Sequence, residues 1–254
     1  MQLLTLHKKI TDDALSMRKA VESVLTPMSQ QRYRGQSMYL TPFLSRLNEV
    51  TTPFKVNNEL VDDTTLDPTG LQLTAQWWPT RLKTRPRRRI DIHIEWHVHP
   101  RGRSCGVHTS DWQCRHFYFW SYVMHELAHR HQNNHRSEDV LSQKFIPTAD
   151  IDEATDLWAL QMYLGDFDEV EAYAHDIALE MVVWFPTLGY RAAFAQMKKF
   201  QHELINASYP LFATAFDKTP KHPAMLLLRK KIQGWYRIMD TQRDIYQALQ
   251  LGPL

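Results

Sequence analysis

The residues whose types and spacing could do chemistry are His125, Glu126 and His129, in the run His125-Glu126-Leu127-Ala128-His129. Two histidines four positions apart on a helix point the same way, so both imidazoles can grip one metal ion while the intervening glutamate reaches a water beside it. Such a trio supports metal-assisted hydrolysis. Zinc would lower the pKa of its water towards ~7, Glu126 would take the proton as general base, and the water would attack a carbonyl polarised by the metal. Peptide hydrolysis also needs a donor for the developing oxyanion, for which His175, Tyr173 and Arg191 are open candidates.

Two histidines do not complete a zinc site, and four residues compete to be the third ligand. Glu171 leads, because Glu171, Ala174, His175 and Ala178 follow one helical line whose small residues would let their helix approach the first. The leading ligand set is therefore His125, His129 and Glu171. Glu169 begins the same spacing, but its next-turn neighbours Asp176 and Glu180 read as solvent-facing. His135 lies six residues after His129. Glu153, 24 residues after His129, reads more simply as an acid in a first helical turn, where the dipole favours it.

The elements that must position these groups are legible in outline. Residues 112 to 131 read as a helix that is apolar nearly all round between Phe117 and Ala128, hence central and buried. Before it, Ile90, Ile92, Ile94, Trp96 and Val98 alternate with polar residues up to Pro100, the pattern of a half-buried strand. Its polar face carries His93, Glu95 and His97, and these histidines and His99 read as solvated. Residues 71 to 78 read as a second strand. Asp166 or Asp168 should cap a helix through about Trp184, stopped by Pro186. Further helices are expected at 11–25, near 39–48, at 137–145, 152–164 and 191–206, and from about 223 to 249. The fold class is α+β and predominantly helical. An N-terminal helical region over 1–65 and a larger domain over 66–254 are the expected divisions, with a single domain overall as the alternative.

Composition bounds the rest. A chain of 254 residues with 43% hydrophobic content can bury a core, and 29 aromatics against eight glycines suit a helix-rich protein. The formal charge of +2 argues against general polyanion binding. Locally, eight Lys and Arg between Arg81 and Arg103 face only Asp91 and Glu95. The run Arg81 to Arg89, beside Trp77 and Trp78, could contact phosphates and stack on bases, which makes nucleic acid a possible partner. It reads equally well as an exposed basic loop. Two cysteines, Cys105 and Cys114, give no disulfide framework, and no signal-peptide pattern opens the chain, so a cytoplasmic setting is expected. The longest apolar run is too short for a membrane span.

The stretches from His125 to Gln132 and from Asp168 to Glu180 resemble the zincin superfamily of metallopeptidases. More narrowly, they look like small metallopeptidases encoded by bacteriophages. The second stretch is similar to the gluzincin signature E-x-x-A-[DN]-x-x-A, read from Glu171, with His175 in the place of the acid or amide. His135 matches the metzincin spacing, with Gln132 where that pattern has glycine. The resemblance covers about residues 90 to 185. It implies a zincin-like core, with a small β-sheet before the H-E-x-x-H helix, an edge strand that receives the substrate backbone, and a helical C-terminal part. It also implies zinc, a protein or peptide substrate, and action in the host cytoplasm or the virion. A zinc-stabilised structural or host-binding protein without turnover is the rival reading, and a DNA-associated protease is another.

Overall fold

The computed structural model describes residues 3–29, 38–49, 56–66, 71–77, 92–100, 106–107, 109–133, 157–199, 208–216 and 221–248. The described residues are mostly helical, with a three-stranded sheet and a two-stranded pairing. The chain divides into two compact units, one formed by residues 11–126 with Leu254, the other by 1–10 and 127–253. The cuts fall inside two helices. The Arg81 to Arg89 run, His135, Glu153 and the helix expected at 137–145 lie outside the described residues.

In the first unit, β2 (Val56–Asp62), β3 (Leu71–Trp77) and β4 (Ile92–Val98) form a sheet in the order β2-β4-β3. β4 is central, parallel to β2 and antiparallel to β3. Its alternation works as expected: Ile92, Ile94, Trp96 and Val98 are buried, and the residues between them are half-buried. Strand β2 was not foreseen, because its inward position 58 is an asparagine. That amide is buried and satisfied. Asn58 accepts from the Trp96 indole at 3.1 Å, and its backbone N–H donates to the Asn48 side chain at 2.7 Å. Asn48 belongs to α2 (Leu40–Glu49), so a polar bracket ties this helix to the sheet. The short pairing of β1 (Met38–Tyr39) with β5 (Gly106–Val107) was also unforeseen.

Two helices continue through both units. α1 spans Leu3–Ser29, longer than expected because Leu6, His7 and Ile10 extend the buried stripe of Ala14, Met17 and Val21 by two turns. α3 spans Thr109–Asn133 and carries the H-E-x-x-H residues. From Val123 to Ala128 every residue is buried, as an all-round apolar helix requires.

In the second unit α5 (Phe167–Trp184) is the central element, buried continuously from Ala174 to Val183. Asp166 caps it, its side chain accepting the Asp168 N–H at 2.8 Å. α4 (Leu157–Leu164) precedes it, separated only by Gly165 and Asp166. A Cβ at Gly165 would lie 2.7 Å from the Gln161 carbonyl oxygen, so the turn admits no larger residue without shifting backbone. α8 (Pro223–Asp240) packs along α5. α6 (Tyr190–Lys199), α7 (Ser208–Phe216) and α9 (Arg243–Ala248) complete the unit. The single helix expected over 223–249 breaks at Thr241, whose hydroxyl donates to the Ile238 carbonyl and ends α8. Helix α7 was missed by the sequence reading.

Candidate metal centre

His125 and His129 lie one turn apart on α3, and Glu169 lies in the first turn of α5. One ligand atom from each of the three falls within 4.8 Å of the others. The His129 Nε2 to Glu169 Oε2 distance is 3.4 Å. A tetrahedral ion with bonds of about 2.0–2.1 Å separates its ligand atoms by about 3.4 Å, the His129–Glu169 separation, so two imidazoles and one carboxylate form a group that could hold a metal ion. His125 and Glu126 are buried, and the side chains of His129 and Glu169 are 12% and 17% exposed. Gln132, in the last turn of α3, donates to the Asp168 carbonyl at 3.3 Å, bonding the start of α5 to the end of α3.

Glu171, the third ligand favoured by the sequence, is elsewhere. It is buried and ion-paired with Lys231 of α8, whose ammonium also lies 4.5 Å from the centre of the Phe167 ring. Glu169 and Glu171 are two residues apart on a helix and so project about 200° from each other. The face that carries Glu169 towards His129 therefore carries Glu171 away from it. The argument against Glu169 rested on Asp176 and Glu180 facing solvent, yet both are buried, at 2% and 1% exposure. Polarity misled the reading: on this central helix even the acids are interior.

The other singled-out residues sort clearly. His175 has no exposed surface, with the Trp235 ring edge-on at 5.0 Å and His7 at 6.0 Å, so it is a core ring of the second unit. Neither of its nitrogens has a hydrogen-bond partner among the described residues, and Nδ1 lies 3.6 Å from Asp176 Oδ1. Arg191 is exposed on α6. Tyr173 is half-buried on the same face of α5 as Glu169, with Phe212 edge-on at 5.4 Å. His93 and His97 are half-buried among acids of the sheet, not freely solvated: His97 Nε2 is 3.1 Å from Glu95, and His93 Nε2 is 3.4 Å from Glu59.

Sequence reading passed over Tyr163, in the last turn of α4. Glu169 and Tyr173 both act electrostatically on its hydroxyl. Burial, followed by the negative charge these partners carry or can carry, pushes its phenol well above the ordinary range. The available signal was a tyrosine six residues before Glu169, across a two-residue turn that folds α4 back beside α5.

No protein-family model, curated protein or solved structure matches the chain. Among the described residues no helix is long and apolar enough to cross a membrane.

Proposed function

We propose that the chain is a zinc-dependent metallopeptidase with a zincin-like core, in which His125, His129 and Glu169 hold the metal and Glu126 is the general base. The observation that carries this reading is the convergence of the three ligand atoms within 4.8 Å, two of them from an H-E-x-x-H run on one helix. Bound there, zinc would supply a Lewis acid and an acidified water. The Glu126 carboxylate, buried beside His125 in sequence, accepts the proton of the attacking water and delivers it to the leaving amine. His129 and Glu169 hold their positions through elements bonded to each other by Gln132. The substrate class is a protein or peptide.

The central place of β4 bears on how a substrate is held. Both of its hydrogen-bonding edges are occupied, by β2 and β3, so an extended peptide pairs with β2, with β3 or with no strand of this sheet. A second reading, a zinc site held for structure alone, draws support from the 7% and 5% exposure of His125 and Glu126.

One experiment decides between them. Zinc content and cleavage of a proteome-derived peptide library are measured for the wild type, Glu126→Gln and His129→Ala. Hydrolysis is expected in the wild type alone, with zinc kept in Glu126→Gln and lost in His129→Ala. Zinc without any cleavage in the wild type would support the structural reading, and full activity in Glu126→Gln would sink the catalytic one.

A further inference from the structure

We propose that the outer edge of β3 is a dimer interface, at which a second copy of this chain adds its own β3 antiparallel about a twofold axis through Thr74. The inference does not depend on the metal reading.

The two edges of the sheet differ. The backbone N–H and C=O of one residue point to the same side of a strand, and the side alternates from residue to residue. On β2, the Asn58 carbonyl accepts from Asn48 Nδ2 at 2.8 Å and the Asn58 N–H donates to Asn48 Oδ1 at 2.7 Å. One side-chain amide thus makes the two bonds that a residue of a neighbouring strand would make, and it blocks this edge at its middle. Those bonds also set the phase of the sheet. With the Asn58 backbone turned outward, that of Asn57, Glu59, Val61 and Asp63 turns towards β4, and the Asp63 N–H meets the Val98 carbonyl at 2.8 Å. Ile92, Ile94, Trp96 and Val98 therefore turn their backbone groups to β2, whereas His93, Glu95 and His97 turn theirs to Gln76, Thr74 and Gln72 of β3. The backbone groups of Leu71, Leu73, Ala75 and Trp77 are left pointing away from the sheet. Among the described residues nothing bonds those of Leu73 and Ala75.

The occupant follows from the strand itself. Exposed edges are ordinarily blunted by charge, proline or a bulge. Leu71–Trp77 has no charged residue and no proline, and its register with β4 is unbroken. A copy of this strand meets no like charge there, as a copy of β2 with Glu59 and Asp62 would. The outward residues lie symmetrically about Thr74, the midpoint of β3. An axis through Thr74 therefore sets Leu73 against Ala75 and Leu71 against Trp77 of the other copy, and satisfies every outward group on both strands at once. Residues of like parity meet, so each face of one sheet continues into the same face of the other. The assembly also closes. A twofold contact uses the same edge of both copies, and each outer edge that remains is a β2 blocked by Asn48.

The test is sedimentation velocity of the full chain over a range of concentrations, beside thermal unfolding followed by circular dichroism. The wild type should show a monomer–dimer equilibrium. Ala75→Pro removes an outward N–H and no bond to β4, so it should keep its melting temperature and weaken dimerisation roughly 10- to 100-fold, the effect of two hydrogen bonds per dimer. In a chain with Cys105 and Cys114 replaced by serine, Thr74→Cys brings two thiols together on the axis and should give a disulfide-linked dimer under mild oxidation. Gln72→Cys, whose two copies would lie ~13 Å apart along the strands, should not. A wild type that stays monomeric at every concentration would overturn the proposal and leave the edge to an extended segment of another protein. A dimer that survives Ala75→Pro would overturn it as well. If Ala75→Pro melts below the wild type, the cysteine variants decide: a cross-link at 74 with none at 72 upholds the axis, and any other pattern overturns it.

Discussion

Burial of His7 makes the fold of the second unit sensitive to acid. The ring has no exposed surface, accepts or donates one hydrogen bond with the Tyr246 hydroxyl at 3.0 Å, and lies 5.9 Å from Trp235 and 6.0 Å from His175. Burial first, then the electrostatic effect of the neighbouring His175, lower its pKa from 6.5 to about 3, against a smaller opposing effect of a bond with Gln242. The unfolded chain thus takes up this proton near pH 6.5 and the folded chain only near pH 3. Because the unfolded state binds more protons in between, stability is full above about pH 6.5 and is lost as the pH falls towards 3. The complete shift is worth about 5 kcal/mol, of which about 2 kcal/mol is lost by pH 5. The assay is urea unfolding followed by tryptophan fluorescence at pH 7.5 and 5.0, for the wild type and His7→Gln, which retains a polar group for Tyr246 but cannot titrate. The wild type should lose about 2 kcal/mol more than the variant. Equal losses in the two proteins would refute the argument that a neutral, desolvated His7 underlies the acid response.

Other outcomes follow from neighbouring observations. His175→Leu should be destabilising in urea unfolding at pH 7.5, since it leaves the buried Asp176 carboxylate without the imidazole 3.6 Å away. Glu169→Ala should abolish zinc retention in dialysed protein, whereas Glu171→Ala should retain zinc and lose stability by leaving Lys231 without its carboxylate. Asp166→Ala should cost about 1 kcal/mol in unfolding free energy through loss of the α5 cap. Gly165→Ala should cost roughly 1–3 kcal/mol, the range of overpacked sites, because its methyl meets backbone and not a yielding side chain.

What was readable in the sequence was whatever announces itself locally. The alternation of β4, the all-round apolar stretch of α3 and the Asp166 cap of α5 each express a rule of one element, and each appears where it was expected. Strand β2 did not, since its inward asparagine makes sense only beside Asn48 and Trp96, which are distant in sequence. The grip of His125 and His129 was visible for the same local reason. The choice between Glu169 and Glu171 was not, because both begin the same spacing and the decision belongs to partners on other helices, His129 for one and Lys231 for the other. Inferring exposure from charge made that choice worse. Asp176 and Glu180 show that an acid on a central helix can be interior.

The two-residue turn between α4 and α5 has a consequence for how this chain can vary in length. Only Gly165 and Asp166 separate the two helices, so forming that turn has a small entropic cost and needs no distant part of the chain. Each added residue would rotate every later α5 side chain by about 100° relative to α4, and two would turn the Glu171 direction towards the position Glu169 now holds. Length changes elsewhere in the loops leave this phase untouched. Insertions should therefore be accepted in the longer connections and rejected between Leu164 and Phe167, where even one added residue turns Glu169 about 100° away from His129.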